Sequence, residues 1–125
     1  MSKQLLGFAA AITLATTLGA CATGADPKIR TDISAKLAAA QPPIQTCYQR
    51  VLTTNRKVRG MVVIQMAAHA ETGQFIDIST RRDEPADPVL RYCIVQELAK
   101  LKLDKPPGKR IEIESVPIRF EWSNP

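Results

Sequence analysis

Three cysteines, Cys21, Cys47 and Cys93, carry the most defined chemistry in this 125-residue chain. A thiol can be alkylated, can close a disulfide, or can ligate a metal as thiolate. Spacing argues against the last. No two cysteines form a CxxC pair, and the single histidine, His69, has no HxxxH partner. Zinc ligation therefore lacks its usual pattern. No serine or cysteine stands in a nucleophile motif beside that histidine. Glu71, Asp77, Asp83 and Glu84 fall in turns or on an open strand face, where a solvated charge is the default. Glu112 and Glu114 share one side of a later strand, where they discourage unwanted edge pairing. No catalytic, metal or cofactor-binding residue is assigned, and no enzymatic activity is expected.

The amino terminus has a three-part layout. Lys3 supplies a positive start, Leu5 to Leu18 an apolar segment, and small residues follow, as in a secretory signal. The boundary Leu18-Gly19-Ala20-Cys21 resembles the lipobox of bacterial lipoproteins. In that class the cysteine thiol receives a diacylglycerol, cleavage leaves the cysteine first, and its amine is then acylated. Several acyl chains hold a stable anchor, whereas one binds only marginally. The resemblance implies a signal peptide over residues 1–20, lipidation of Cys21 and a tether over 21–30. Ala22 is not the aspartate that commonly retains lipoproteins at the inner membrane, so the expected address is the outer membrane, facing the periplasm. Two alternatives stand beside this. An ordinary peptidase could cut after Ala22 or Ala25, or the uncharged run Gln4 to Ala25 could remain as a membrane helix. Its Ala, Thr and Gly content makes a poor span, and no basic stop-transfer cluster follows.

Lipid on Cys21 removes the odd thiol from the count. Cys47 and Cys93 are then left in an oxidising compartment, where a pair tends to close. Such a loop stabilises by about 4 kcal/mol in the chain-entropy model; two buried free thiols are the alternative. The formal charge of +5 falls to +4 once Lys3 leaves with the signal. That mild excess suits an anionic membrane surface better than nucleic acid outside the cytoplasm. Arg56, Lys57 and Arg59, with Arg81 and Arg82, are candidates for a basic rim, and a plain solvated surface is the simpler account.

The body must position whatever these residues do, and its length allows one domain, over residues 31–125. A helical pattern begins at Thr31 with Ile33 and Leu37. The pair Pro42-Pro43 predicts an interruption, with a second helix starting at Pro43. Ile44, Cys47, Tyr48, Val51 and Leu52 then mark one apolar helix face. From Val58 to Ala68 the period becomes two and predicts a strand. Glu71-Thr72-Gly73 supplies a turn and Phe75 to Thr80 the returning strand. Asp87 and Pro88 open a helix whose stripe is Leu90, Ile94, Leu98 and Leu101, with Cys93 on its edge. Pro106-Pro107-Gly108 stops the chain before a third strand, Ile111 to Trp122. Its phase slips near Ser115 and Pro117 lacks an amide hydrogen, so that strand is expected to be bulged, at an edge, or both. Phe120 and Trp122 are expected at the core and its rim. The fold class is α+β, and a Cys47–Cys93 bridge would staple helix to helix.

One ordered set of residues runs through these elements. It comprises Cys47-Tyr48, Gly60 leading a strand, Gly73 in the hairpin, Asp87-Pro88 before the helix with Cys93, and Pro106-Pro107-Gly108 before the last strand. It resembles the TonB-like carboxy-terminal domain of the AgmX/PglI group, known from gliding-motility and energy-transducer proteins, over about residues 30 to 122. The resemblance implies a three-stranded antiparallel sheet with two helices on one face. Full transducers add an inner-membrane helix and a Pro-rich spacer, which this chain lacks. Leu101-Lys102-Leu103 stands where the family places an aromatic residue. The implied role is a non-catalytic protein-binding module in an envelope, motility or energy-transduction complex. Its partner, an envelope protein, would add as a strand to the edge formed by Val116, Pro117, Ile118, Arg119, Phe120 and Glu121. A structural or assembly lipoprotein without a ligand groove is the alternative.

Overall fold

The computed structural model describes residues 10–14 and 26–122. Its elements run β1 (Ala10–Leu14), α1 (Pro27–Leu52), β2 (Gly60–Ala68), β3 (Phe75–Asp83), α2 (Pro88–Ala99) and β4 (Ile111–Trp122). The expected helix-strand-strand-helix-strand order is present, and β2, β3 and β4 form a three-stranded antiparallel sheet. A short fourth strand, β1, is added on the outer side of β4, so the spatial order is β1-β4-β2-β3. That strand comes from within the segment read as a signal. Cys21 lies outside the described residues.

The α1 helix departs from expectation at two places. It opens at Pro27 rather than Thr31, because the Asp26 carboxylate accepts from the amides of Lys28 at 2.7 Å and Ile29 at 3.3 Å. Residues 27–30 of the expected tether are therefore helical. It also continues through Pro42 and Pro43 to Leu52 without interruption. An interior proline costs about 3 kcal/mol or more. The opposing term is a single apolar stripe, Ile33, Leu37, Ala40, Ile44, Cys47, Tyr48 and Val51, all buried, at about 1.5–3 kcal/mol for each large side chain. Both prolines are exposed, as are Ala38 and Ala39, whose carbonyls lose the missing amides and can turn to water.

The second helix starts as expected, with the Leu90 amide donating to Asp87 Oδ1 at 2.9 Å and Pro88 in the first turn. It ends at Ala99, so Leu101 leaves the stripe. The Leu101 carbonyl instead accepts from the Phe75 amide at 3.1 Å. Cys47 and Cys93 are joined by a disulfide, with Cα atoms 5.8 Å apart, which ties α1 to α2.

Both helices cover one face of the sheet. Val62, Ile64 and Met66 of β2 and Ile111, Ile113, Val116, Ile118 and Phe120 of β4 are buried there with Phe75, Leu90, Ile94 and Leu98. The buried parity of β4 switches between Ile113 and Val116. Pairing shows why: Ile64 faces Val116 while Met66 faces Ile113, so β4 carries one extra residue around Ser115. The bulge predicted from the phase slip is present. The opposite sheet face is polar, with Gln65 Nε2 donating to Ser79 Oγ at 3.0 Å and Arg110 held between Asp77 and Glu112.

Candidate functional site

The carboxylates and the histidine weighed in the sequence take structural positions. His69 Nδ1 accepts from the amides of Glu71 at 3.1 Å and Thr72 at 3.4 Å, closing the β2–β3 turn. Asp83 accepts from the Ala86 amide and pairs with Arg91 at 2.8 Å. Among the described residues no three His, Cys, Asp or Glu side chains are grouped to hold a metal ion. Arg56, Lys57 and Arg59 are exposed between α1 and β2 and make no ion pair among the described residues. Arg81 and Arg82 are engaged elsewhere, on the Glu114 carbonyl and the Glu84 carboxylate respectively.

The outer edge of β4 carries directed backbone hydrogen-bonding groups that lie outside the β2–β4 ladder. Its geometry follows from a contact on the far side of β2. Met61 receives no backbone bond from β4. Its amide donates to Glu84 Oε1 at 2.7 Å, and its carbonyl accepts from the Glu84 amide at 3.0 Å. Met61 stands opposite Arg119 in the β2–β4 register. In an antiparallel ladder such a pair exchanges no backbone bonds. The N–H and C=O of Arg119 consequently face away from β2, toward the outer edge. Alternation gives Glu121 and Pro117 the same orientation. Pro117 thus sits where its missing donor interrupts nothing in the β2–β4 ladder.

Of the six residues expected at the docking edge, three therefore turn their backbone outward. Arg119 and Glu121 each offer a donor and an acceptor, and Pro117 offers a carbonyl alone. Val116, Ile118 and Phe120 direct their backbone to β2 and their side chains into the core, where each is 1% exposed or less. The outward side chains of Arg119 and Glu121 form a loose pair at 3.4 Å.

The segment seated on this edge is β1. Ala10 stands opposite Trp122, Ala11 opposite Glu121, Ile12 opposite Phe120, Thr13 opposite Arg119 and Leu14 opposite Ile118. The register covers residues 118–122 and stops short of Val116 and Pro117. The stretch expected at the docking edge overlaps this register at residues 118–121, and the sequence reading did not include an occupant from the chain itself. One signal in the sequence bears on the orientation of the edge. Pro117 fixes the parity of outward amides along β4, and Arg119 and Glu121 follow.

A second surface was not foreseen. Val89 and Tyr92, 63% and 68% exposed, are the large apolar side chains left open among the described residues. They border a groove of about 420 Å³ between α1 and α2, where Pro43 and Cys93 also line the wall. Its polar groups do not converge on one point, since Lys100 is already paired with Glu97 at 2.9 Å. Among the described residues no helix is long and apolar enough to cross a membrane.

Comparison of the chain with protein-family models, with curated proteins and with solved structures finds no match.

Proposed function

We propose that this protein is an exported lipoprotein, anchored through Cys21 at the outer membrane and facing the periplasm. There it acts as a non-catalytic protein-binding module of an envelope complex. Partners add to the outer edge of β4 as an extended strand. One observation carries the reading: Arg119 and Glu121 turn their backbone donors and acceptors outward from a strand whose other side is anchored in the core. With residues 1–20 removed, an extended segment that meets this edge gains backbone bonds without asking the rest of the domain to rearrange. The bulge at Ser115 and the proline at 117 confine the acceptor stretch to the carboxy-terminal part of β4. The TonB-like resemblance points the same way, to a domain that binds other envelope proteins.

The test is capture from crosslinked envelopes with the lipidated protein and with its Arg119→Pro variant. That substitution removes an outward amide while leaving the β2–β4 bonds and the Cys47–Cys93 bridge in place. The expected result is an envelope protein recovered by the parent and lost by the variant. Equal recovery by both would remove the β4 edge from the account. Recovery of lipid or cell-wall material alone would favour a structural lipoprotein.

A further inference from the structure

We infer that the strand Ala10–Leu14 is a built-in occupant of the β4 edge, which closes the docking edge in the uncleaved chain and vacates it when residues 1–20 are removed. This rests on the reading of the edge as a docking site and of residues 1–20 as a removable signal. Three observations carry it. The seat of β1 is residues 118–122, the same stretch that turns the Arg119 and Glu121 backbone outward. The two residues opposite those backbones are Ala11 and Thr13, which supply the complementary donors and acceptors in an antiparallel pair. The whole of β1 lies ahead of Cys21, so the expected cut separates occupant from edge.

The chemistry of the occupant is specific in kind. The segment Ala-Ala-Ile-Thr-Leu is uncharged. Its register places Leu14 and Ile12 opposite Ile118 and Phe120, two of the β4 residues on the buried face. Residues directly opposite in an antiparallel pair share a sheet face. An occupant of this edge thus meets an apolar face at alternate positions and the Arg119–Glu121 side at the others. A segment with aliphatic residues two apart and a small or hydroxyl residue between them fits that pattern.

Tethering explains why the arrangement can switch. In the uncleaved chain β1 and β4 belong to one molecule, so the strand meets the edge at an effective concentration on the order of millimolar. Backbone pairing over a few residues is too weak to survive at micromolar strand concentration. Cutting the chain ahead of Cys21 removes the advantage and the edge empties. Before the cut, the same strand covers an edge that would otherwise template association between chains.

The experiment uses the oxidised full chain and its Ala11→Pro/Thr13→Pro variant, which lacks both donors facing β4. Amide hydrogen exchange at Arg119 and Glu121 is read by NMR in each. A synthetic peptide of residues 7–16, flanked by lysines for solubility, is then titrated into both. The expected result is exchange at least tenfold faster at the two amides in the variant. The peptide should also bind the variant at least tenfold more tightly than the full chain. Unchanged Tyr48 and Phe120 signals show that the core is intact. Equal exchange, or equal peptide binding, overturns the inference. The two readings fail separately. Loss of masking with Arg119-dependent envelope capture retained leaves the proposed function standing. Masking confirmed with capture insensitive to Arg119→Pro removes that function and keeps the occupant.

Discussion

The ring of Tyr48 lies against that of Phe120, with centroids 4.9 Å apart and planes tilted by 52°. The same tyrosine donates its hydroxyl to the Val58 carbonyl at 2.6 Å, inside the core. One side chain of α1 thereby holds both the approach to β2 and the part of β4 that pairs with β1. An edge that docks a partner benefits from such backing, because backbone groups fixed in place lose little freedom on binding.

Removing the Tyr48 hydroxyl isolates one part of this arrangement. The Tyr48→Phe variant keeps the ring contact and leaves the buried Val58 carbonyl without its donor. A buried acceptor left unpaired costs about 1–3 kcal/mol, so the variant should melt several degrees lower. Its pH profile should change as well. Burial pushes the Tyr48 hydroxyl pKa above its ordinary value of 10.0, with a smaller opposing pull from Arg59. A pKa raised by folding gives stability that is full below the unfolded value and declines as pH climbs past it. The parent should therefore lose stability above a pH of about 10 more steeply than Tyr48→Phe. Denaturant titrations across that range provide the check, and parallel curves would contradict the assignment.

The disulfide should dominate the stability of the body. Cys47 and Cys93 are 46 residues apart, and closing a loop of that length contributes about 4 kcal/mol through the unfolded chain. A domain of this size has only about 5–15 kcal/mol in total. The Cys47→Ala/Cys93→Ala variant is expected to unfold at markedly lower denaturant, with a steeper slope because its uncrosslinked unfolded chain exposes more surface. If its midpoint matched the oxidised parent, the bridge would be incidental to the fold.

Much of this architecture was legible as periodicity, and the misses have physical causes. The last strand announced its own bulge, because Ile111 and Ile113 cannot share a face with Val116, Ile118 and Phe120 unless one residue is extra. Asp87-Pro88 was read correctly as a helix start. The identical pair Asp26-Pro27 falls inside the stretch expected as a tether, although it caps α1 in the same way. The break expected at Pro42-Pro43 failed because a local penalty was weighed without the stripe running through it. Ile33, Leu37, Ala40, Ile44, Cys47 and Val51 keep helical phase across both prolines. The direction of the outer edge of β4 was legible in part. Parity around Pro117 marks the outward amides, but that Met61 turns its backbone to Glu84 is a tertiary fact with no local sign. The occupancy by β1 was hidden because the segment had already been assigned to export.

Acid should loosen the start of β2. The Glu84 carboxyl is held below its ordinary value of 4.5 first by the Met61 amide and then by Arg82. A depressed carboxyl pKa gives stability that is present above the unfolded value and is lost as pH falls through the folded one. Thermal melts taken from pH 6 downward should show the parent losing stability near and below a pH of about 4.5. The Glu84→Gln variant should be flatter over the same interval. An equal slope in both would mean that the contact is not maintained in solution.

Gly60 provides the sharpest test of how the edge is held. Its φ is +124°, and a Cβ there would sit 2.7 Å from Glu84 Cβ and 3.2 Å from its Oε1. Any side chain must push Glu84 away and strain the backbone at once, at a cost of about 1–3 kcal/mol for the conformation alone. Displacing Glu84 frees the Met61 backbone, and Gly60 itself stands opposite Phe120. The Gly60→Ala substitution should therefore lower the melting temperature by several degrees. It should also speed amide exchange at Arg119 and Glu121 more than at Ile64, which lies farther along β2. A destabilised variant with uniform exchange through the sheet would show that Glu84 and Gly60 support the core in general. Selective loss at the carboxy-terminal end of β4 would establish that this corner sets the direction of the outer edge of β4.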